Sequence, residues 1–207
     1  MLLPILLMFD ILDTQLFPDE CIVLDTGYEL VYPIFKNGSS SLSKTYRPVR
    51  SDVITNAKCI TVYVREPLDR FYSGVNTYLK NNPILDSNTV IELINRHLFL
   101  DRHFCPQFYW LVNLRRFTSA EYKILDMSQL SNTTTLHVNK SEAHTTSDYF
   151  ESNDKIHFYL SMDKILYWDL MGETVSFNDI VYTLKIKWPD VYKEVIERSK
   201  TLCSVLD

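Results

Sequence analysis

The hexamer Cys59–Val64 (CITVYV) runs without a break into Arg65-Glu66-Pro67 and then into a stripe of Leu68, Phe71, Tyr72, Val75 and Leu79. An unbroken run of β-branched and aromatic residues suits a strand buried on both faces. A proline pushes the residue before it out of the α region and fits the first position of a helix, so the chain must turn at Glu66 and begin a helix at Pro67. The stripe that follows has helical spacing. A similar unit lies upstream. Tyr28–Phe35 (YELVYPIF) reads as a largely buried strand that stops at Lys36-Asn37-Gly38, and Ser39, Ser40, Ser41 and Leu42 open a helix whose first-turn amides a serine side chain caps. Strand, turn and helix, twice over, predict an α/β chain with a central parallel sheet flanked by helices.

Farther on, Val90–Leu100 and Phe108–Phe117 have the pattern of helices, and Tyr122–Met127 that of a third strand. Ser131–Asp148 is polar and reads as loop, Lys155–Met171 as helix, and Asp190–Leu202 as a closing helix started by Pro189. No repeat or Pro/Gly-rich linker divides the chain, and 46% hydrophobic residues suffice for one core, so residues 1–207 are predicted to form a single domain.

Charge and cysteine usage narrow the function. A formal net charge of −5 gives no reason to hold a nucleic-acid duplex, although a local basic site for a small anion is compatible with it. Cys21, Cys59, Cys105 and Cys203 have neither CxxC nor zinc-ligand spacing, and His137, His144 and His157 have no partners at such spacing; no metal is expected, and the cysteines read as reduced thiols. The opening MLLPILLM lacks basic residues and meets Asp10 and Asp13 before the roughly 20 residues a membrane span needs. It reads as an element packed on the core, which predicts a soluble, cytoplasmic chain with no membrane partner.

Lys36 to Ser41 lies where a strand gives way to a helix, the place where backbone N–H groups and the helix dipole converge on an anion. Lys36 precedes Gly38, unlike the lysine of a Walker loop, which follows the second glycine; nor is there a GxGxxG fingerprint. Gly38 lets the backbone approach a ligand, the serines add donors, and Lys36 supplies a positive charge. Arg65, at the end of the second strand, and Ser73, eight residues on, are placed to share one phosphate.

These residues resemble a family. A strand with K-x-G-[ST]-[ST]-[ST], then a strand with R-[DE]-P-x-x-R-x-x-S, is the pattern of sulfotransferases that use 3′-phosphoadenosine-5′-phosphosulfate (PAPS), standing here as KNGSSSL at 36–42 and REPLDRFYSG at 65–74. His103-Phe104-Cys105-Pro106-Gln107 looks like the H-x-x-P-Q element of the carbohydrate (chondroitin/dermatan-type) branch, Leu136–Ser141 like its later h-x-N-x-S stretch, and Tyr159 with Asp163 like part of a later helix. The resemblance implies a three-layer P-loop-like fold; the chain is short for that branch and lacks its membrane anchor, so a soluble bacterial or viral member is expected, in the host cytoplasm if viral. It implies that Lys36, Asn37, Gly38, Ser39, Ser40, Ser41 and Leu42 bind the 5′-phosphosulfate and that Arg65 and Ser73 bind the 3′-phosphate, with adenosine 3′,5′-bisphosphate as product and no metal. Asn139, Lys140 and Ser141 would close over the nucleotide. Lys36 would stabilise the leaving oxygen, and His103 would take the proton from an acceptor hydroxyl on a glycan or another hydroxyl compound, with Phe104, Tyr109 and Trp110 as an aromatic wall.

Other readings stay open on the sequence. Asp52, Glu66 and His97 are alternative bases; Arg70 is a further cation, solvated or paired with Glu66; Tyr46, Arg47 and Arg50 are placed to read an anionic acceptor. The runner-up function is a P-loop-like nucleotide or small-molecule kinase, disfavoured by the position of Lys36 and by the lack of a strand ending in an aspartate that would hold Mg²⁺. A noncatalytic binding module is the third.

Overall fold

The structure, a computed structural model, describes residues 21–95, 101–132, 156–157 and 160–193. His97, the 136–141 stretch, Tyr159, the N-terminal apolar segment, Cys203 and most of the expected closing helix lie outside the described residues.

Six strands form one sheet: β1 (Leu24–Asp25), β2 (Leu30–Tyr32), β3 (Arg47–Pro48), β4 (Cys59–Val64), β5 (Glu121–Asp126) and β6 (Thr174–Val175), in the order β3-β1-β2-β4-β5-β6. Its centre is parallel, as expected: Val31 pairs with Thr61, and β4 and β5 pair from Cys59↔Glu121 to Val64↔Asp126. The sheet as a whole is mixed. β1 runs antiparallel to both β2 and β3, and β6 antiparallel to β5. The expected strand from Tyr28 to Phe35 shrinks to Leu30–Tyr32, because Asp25-Thr26-Gly27-Tyr28 makes a tight turn, with Gly27 at φ +84° and its N–H donating to Asp25 Oδ1 at 2.7 Å.

Alternation along β4 assigns the two faces. Ile60, Val62 and Val64 point into the large core, which takes Ile54 from α2 (Ser51–Thr55), Leu111, Val112 and Leu114 from α5 (Gln107–Phe117), Met162 from α6 (Ser161–Lys164), Ile165 and Leu166 from a π-helical turn (Ile165–Asp169), and Phe177, Ile180 and Leu184 from α7 (Phe177–Lys187). Tyr63 points to the other face and meets Leu24, Val31, Leu42 of α1 (Ser39–Thr45) and Leu130 of a 3₁₀ turn (Met127–Asn132).

The helix expected at Pro67 is α3 (Pro67–Asn81); Glu66 is extended (φ −47°, ψ 127°), and its Oε2 caps the helix by accepting the Asp69 N–H at 2.7 Å. Its apolar stripe packs on α4 (Ser87–Asn95) and on Phe104. α7, for which the sequence reading makes no assignment, starts at a capping box between Ser176 and Asp179. At α1 the expected serine cap is absent: the N-cap is Gly38 in the left-handed region at φ +80°, and no side chain caps the helix.

Candidate functional site

β2 and β4 end side by side, so the loops that follow them, 33–38 and 65–66, emerge together. Phe35 to Gly38 is a tight turn in which Asn37 N–H donates to Ile34 O at 3.1 Å. Lys36 has φ +71°; among the described residues it is the one non-glycine with positive φ. For a residue bearing a Cβ that conformation is unfavourable, and such strain collects where function needs it. The Lys36 ammonium donates to Thr77 Oγ1 on α3, and Thr77 Oγ1 in turn donates to Ser73 O at 3.0 Å. Burial, then the charges of Arg65 and Arg70, hold the Lys36 ammonium below the usual lysine range, opposed by Asp101.

Two expected binding residues turn their side chains inward. Asn37 is 1% exposed; its Nδ2 donates to Tyr63 O at 2.8 Å and to Gln107 Oε1 at 2.6 Å, and its Oδ1 has no partner. Leu42 belongs to the core beneath α1. The Ser41 and Leu42 N–H groups both donate to Gly38 O at 3.0 Å, whereas Ser39 and Ser40 start the helix and have no intrahelical carbonyl to reach.

Arg65 is half-buried, and burial is the first cause holding its guanidinium below the usual arginine range. Arg65 makes no ion pair with its neighbours Glu66 and Asp69. Among the described residues no carboxylate lies within ion-pair distance of Lys36, Arg65 or Arg70. Arg70 is neither solvated nor paired with Glu66. It is 0% exposed, and its guanidinium donates to Phe35 O at 3.0 Å, to Cys105 O and to Arg102 O at 3.5 Å. One buried cation thus fastens the Lys36 turn to the 101–107 segment. Ser73 sits on α3, 8% exposed.

Gln107, at the start of α5, completes the frame. Its Nε2 donates to Arg65 O at 2.9 Å, and its Oε1 accepts both Arg65 N–H at 2.9 Å and the Asn37 amide. Asp163, fully buried, accepts the Gln107 and Phe108 N–H groups at 2.7 and 2.9 Å, holding the start of α5. Burial pushes its carboxyl up to about 6, against the pull of Arg70 and of these hydrogen bonds.

His103 is about one-third exposed, its Nδ1 lies 2.7 Å from Asp101 Oδ1, and its ring packs against Phe35 at 5.5 Å between centroids. The same Asp101 oxygen accepts His103 N–H at 2.8 Å. Burial works to raise the Asp101 carboxyl, but its hydrogen bonds with His103 outweigh it and hold it below the usual carboxylate range. α3 approaches closely at Gly74, where a Cβ would lie 2.2 Å from His103 O. The expected aromatic wall is not there: Phe104, Tyr109 and Trp110 are core residues, and the ring beside His103 is Phe35. Of the alternative bases, Glu66 caps α3, and Asp52 pairs with Arg50 at 3.1 Å on the surface.

Sequence reasoning missed Asp101, Gly74 and the clamping role of Gln107; only the D-x-H spacing of Asp101 and His103 signals the first. It also held that no strand ends in an aspartate placed to hold Mg²⁺; β5 ends in Asp126, in register with Val64. The Asp126 carboxylate accepts Ser128 N–H at 2.7 Å and hydrogen-bonds Tyr167. Among the described residues no three His, Cys, Asp or Glu side chains gather where a metal ion would be held, and no helix is long and apolar enough to cross a membrane.

The fold so defined is an α/β arrangement with a mixed six-stranded sheet flanked by helices. No protein-family model, curated protein or solved structure matches the chain.

Proposed function

We propose that the chain is a sulfotransferase that takes a sulfuryl group from PAPS and places it on an acceptor hydroxyl, a carbohydrate by the resemblance of its motifs, on a P-loop-like fold in the cytoplasm. The observation that carries this reading is the placement of Lys36 and Arg65 in the turns after β2 and β4, with the buried Arg70 close enough to act on both, and no carboxylate paired to any of the three among the described residues. A chain of net charge −5 has acidic groups to pair with its cations. Like charges pressed together and partly desolvated fit an anionic ligand, which would relieve their mutual repulsion.

In this reading Lys36 and the amides at the start of α1 hold the phosphosulfate end, and Arg65 with Ser73 holds the 3′-phosphate. The donor supplies a sulfuryl group on a phosphate leaving group. Lys36 is placed to offset charge gathering on the leaving oxygen. His103, oriented by Asp101, takes the acceptor proton at the ring nitrogen that does not face Asp101. Phe35, packed on His103, gives the acceptor a partly apolar surface.

Asp126 at the end of β5 is the one observation that favours the kinase reading, since an aspartate there suits Mg²⁺. The deciding experiment is incubation with PAPS and a panel of glycan and phenol acceptors. Sulfated product that disappears in Lys36→Ala supports the proposal; phosphate transfer from ATP–Mg²⁺ with no sulfation favours the kinase.

A further inference from the structure

A cleft of about 240 Å³ opens beneath α1, on the sheet face away from the large core, and is lined by Tyr28, Glu29, Val31, Leu42, Tyr46 and Tyr63. Its polar end is Glu29, just before β2, whereas Lys36 and Arg65 lie in the turns that follow β2 and β4 and do not line it.

At its base is the half-buried carboxylate of Glu29. Thr61 Oγ1 donates to Oε2 at 2.5 Å, and Tyr63 OH donates to Oε1 at 3.3 Å. Both donors are neutral hydroxyls. Among the described residues no lysine, arginine or histidine lies within ion-pair distance of Glu29. An anion withdrawn from water and aligned by neutral donors is stabilised further by a cation. Tyr46 and Tyr63 line the cleft beside it, and aromatic rings attract cations. Tyr28 is 99% exposed at the rim, on a turn fixed by the Gly27 and Asp25 hydrogen bond and by Thr26 Oγ1, which accepts the Glu29 N–H at 3.2 Å. Val31 and Leu42 add hydrocarbon surface. Tyr46 closes α1 at its carboxyl end, where the helix dipole favours positive charge.

We propose that this cleft binds a small organic ammonium ion, its charge against Glu29 and the tyrosine rings and its alkyl groups against Val31 and Leu42. The volume is below the roughly 300 Å³ at which drug-sized sites begin, so the occupant is small. Lys36 and Arg65 line no part of this cleft, which makes it a second site, separate from the proposed transfer chemistry.

The test is calorimetric titration of the full chain with choline and with its neutral isostere 3,3-dimethylbutan-1-ol. Saturable choline binding, at least tenfold tighter than the isostere, and weakened at least tenfold in Glu29→Gln with the isostere unaffected, is expected. Tyr46→Leu, which keeps the carboxylate and removes a ring, should weaken choline as well and serves if Glu29→Gln fails to fold. Absence of saturable choline binding, equal affinity for the isostere, or undiminished binding in the folded variants overturns the proposal.

Discussion

Gln107 grips the main chain of Arg65 at both polar atoms, accepting its N–H and donating to its carbonyl at 2.9 Å each, while its Oε1 also receives the Asn37 side chain. One amide therefore fixes the ends of both candidate phosphate loops. Gln107→Ala leaves these buried groups unpaired, at a cost on the order of 3 kcal/mol in unfolding free energy. Urea unfolding should record that loss, and bisphosphate affinity should fall because the turns carrying Lys36 and Arg65 lose their shared anchor.

Lys36 is held at φ +71°, a conformation open to glycine and unfavourable for alanine. Lys36→Gly should accordingly be more stable than Lys36→Ala by about 1 kcal/mol. Both should lose transfer activity by about 10²–10³-fold. Thermal melts paired with sulfation assays check this, and equal stability of the two variants would show that the strain is absent.

Asp163 predicts a pH dependence of stability. Its carboxyl is raised from an ordinary 3.8 to about 6 by burial, so the native state binds the extra proton between those values. Stability contributed at this site is therefore present at low pH and lost as pH rises through about 6. Asp163→Asn does not titrate, so the stability difference between wild type and variant should fall by about 2 kcal/mol from pH 4.5 to 6.5. Urea unfolding of both proteins at the two pH values measures it.

His103→Ala should lower kcat by about 10²–10⁴-fold while leaving bisphosphate affinity unchanged. Asp101→Asn, which keeps the size of the side chain and removes its charge, should lower kcat less and also spare affinity. Loss of affinity in either variant would recast the pair as structural.

The central strands and the helix at Pro67 were legible because CITVYV, the proline and the 3–4 spacing of Leu68, Phe71, Tyr72, Val75 and Leu79 all specify the same geometry. β1, β3 and β6 were not, since two-residue strands carry no period to read. The Ser176–Asp179 spacing that starts α7 was visible yet stood in a segment of mixed character. Within the candidate site, Lys36, Arg65 and His103 were singled out by local motif. Arg70 was misread because its three carbonyl partners, on Phe35, Arg102 and Cys105, lie more than thirty positions away and converge only in the folded chain. Phe104, Tyr109 and Trp110 were misplaced for a related reason: aromatic residues near a histidine fit a core helix as well as a binding wall.

The most direct test of the cation cluster is calorimetric titration of the full chain with adenosine 3′,5′-bisphosphate, with AMP and ATP–Mg²⁺ as comparators. The account predicts a clear preference for the bisphosphate that Arg65→Ala reduces by about tenfold or more, since a charge-assisted hydrogen bond contributes about 1.5–3 kcal/mol. Preference for ATP–Mg²⁺, or no binding of any of the three, would contradict it.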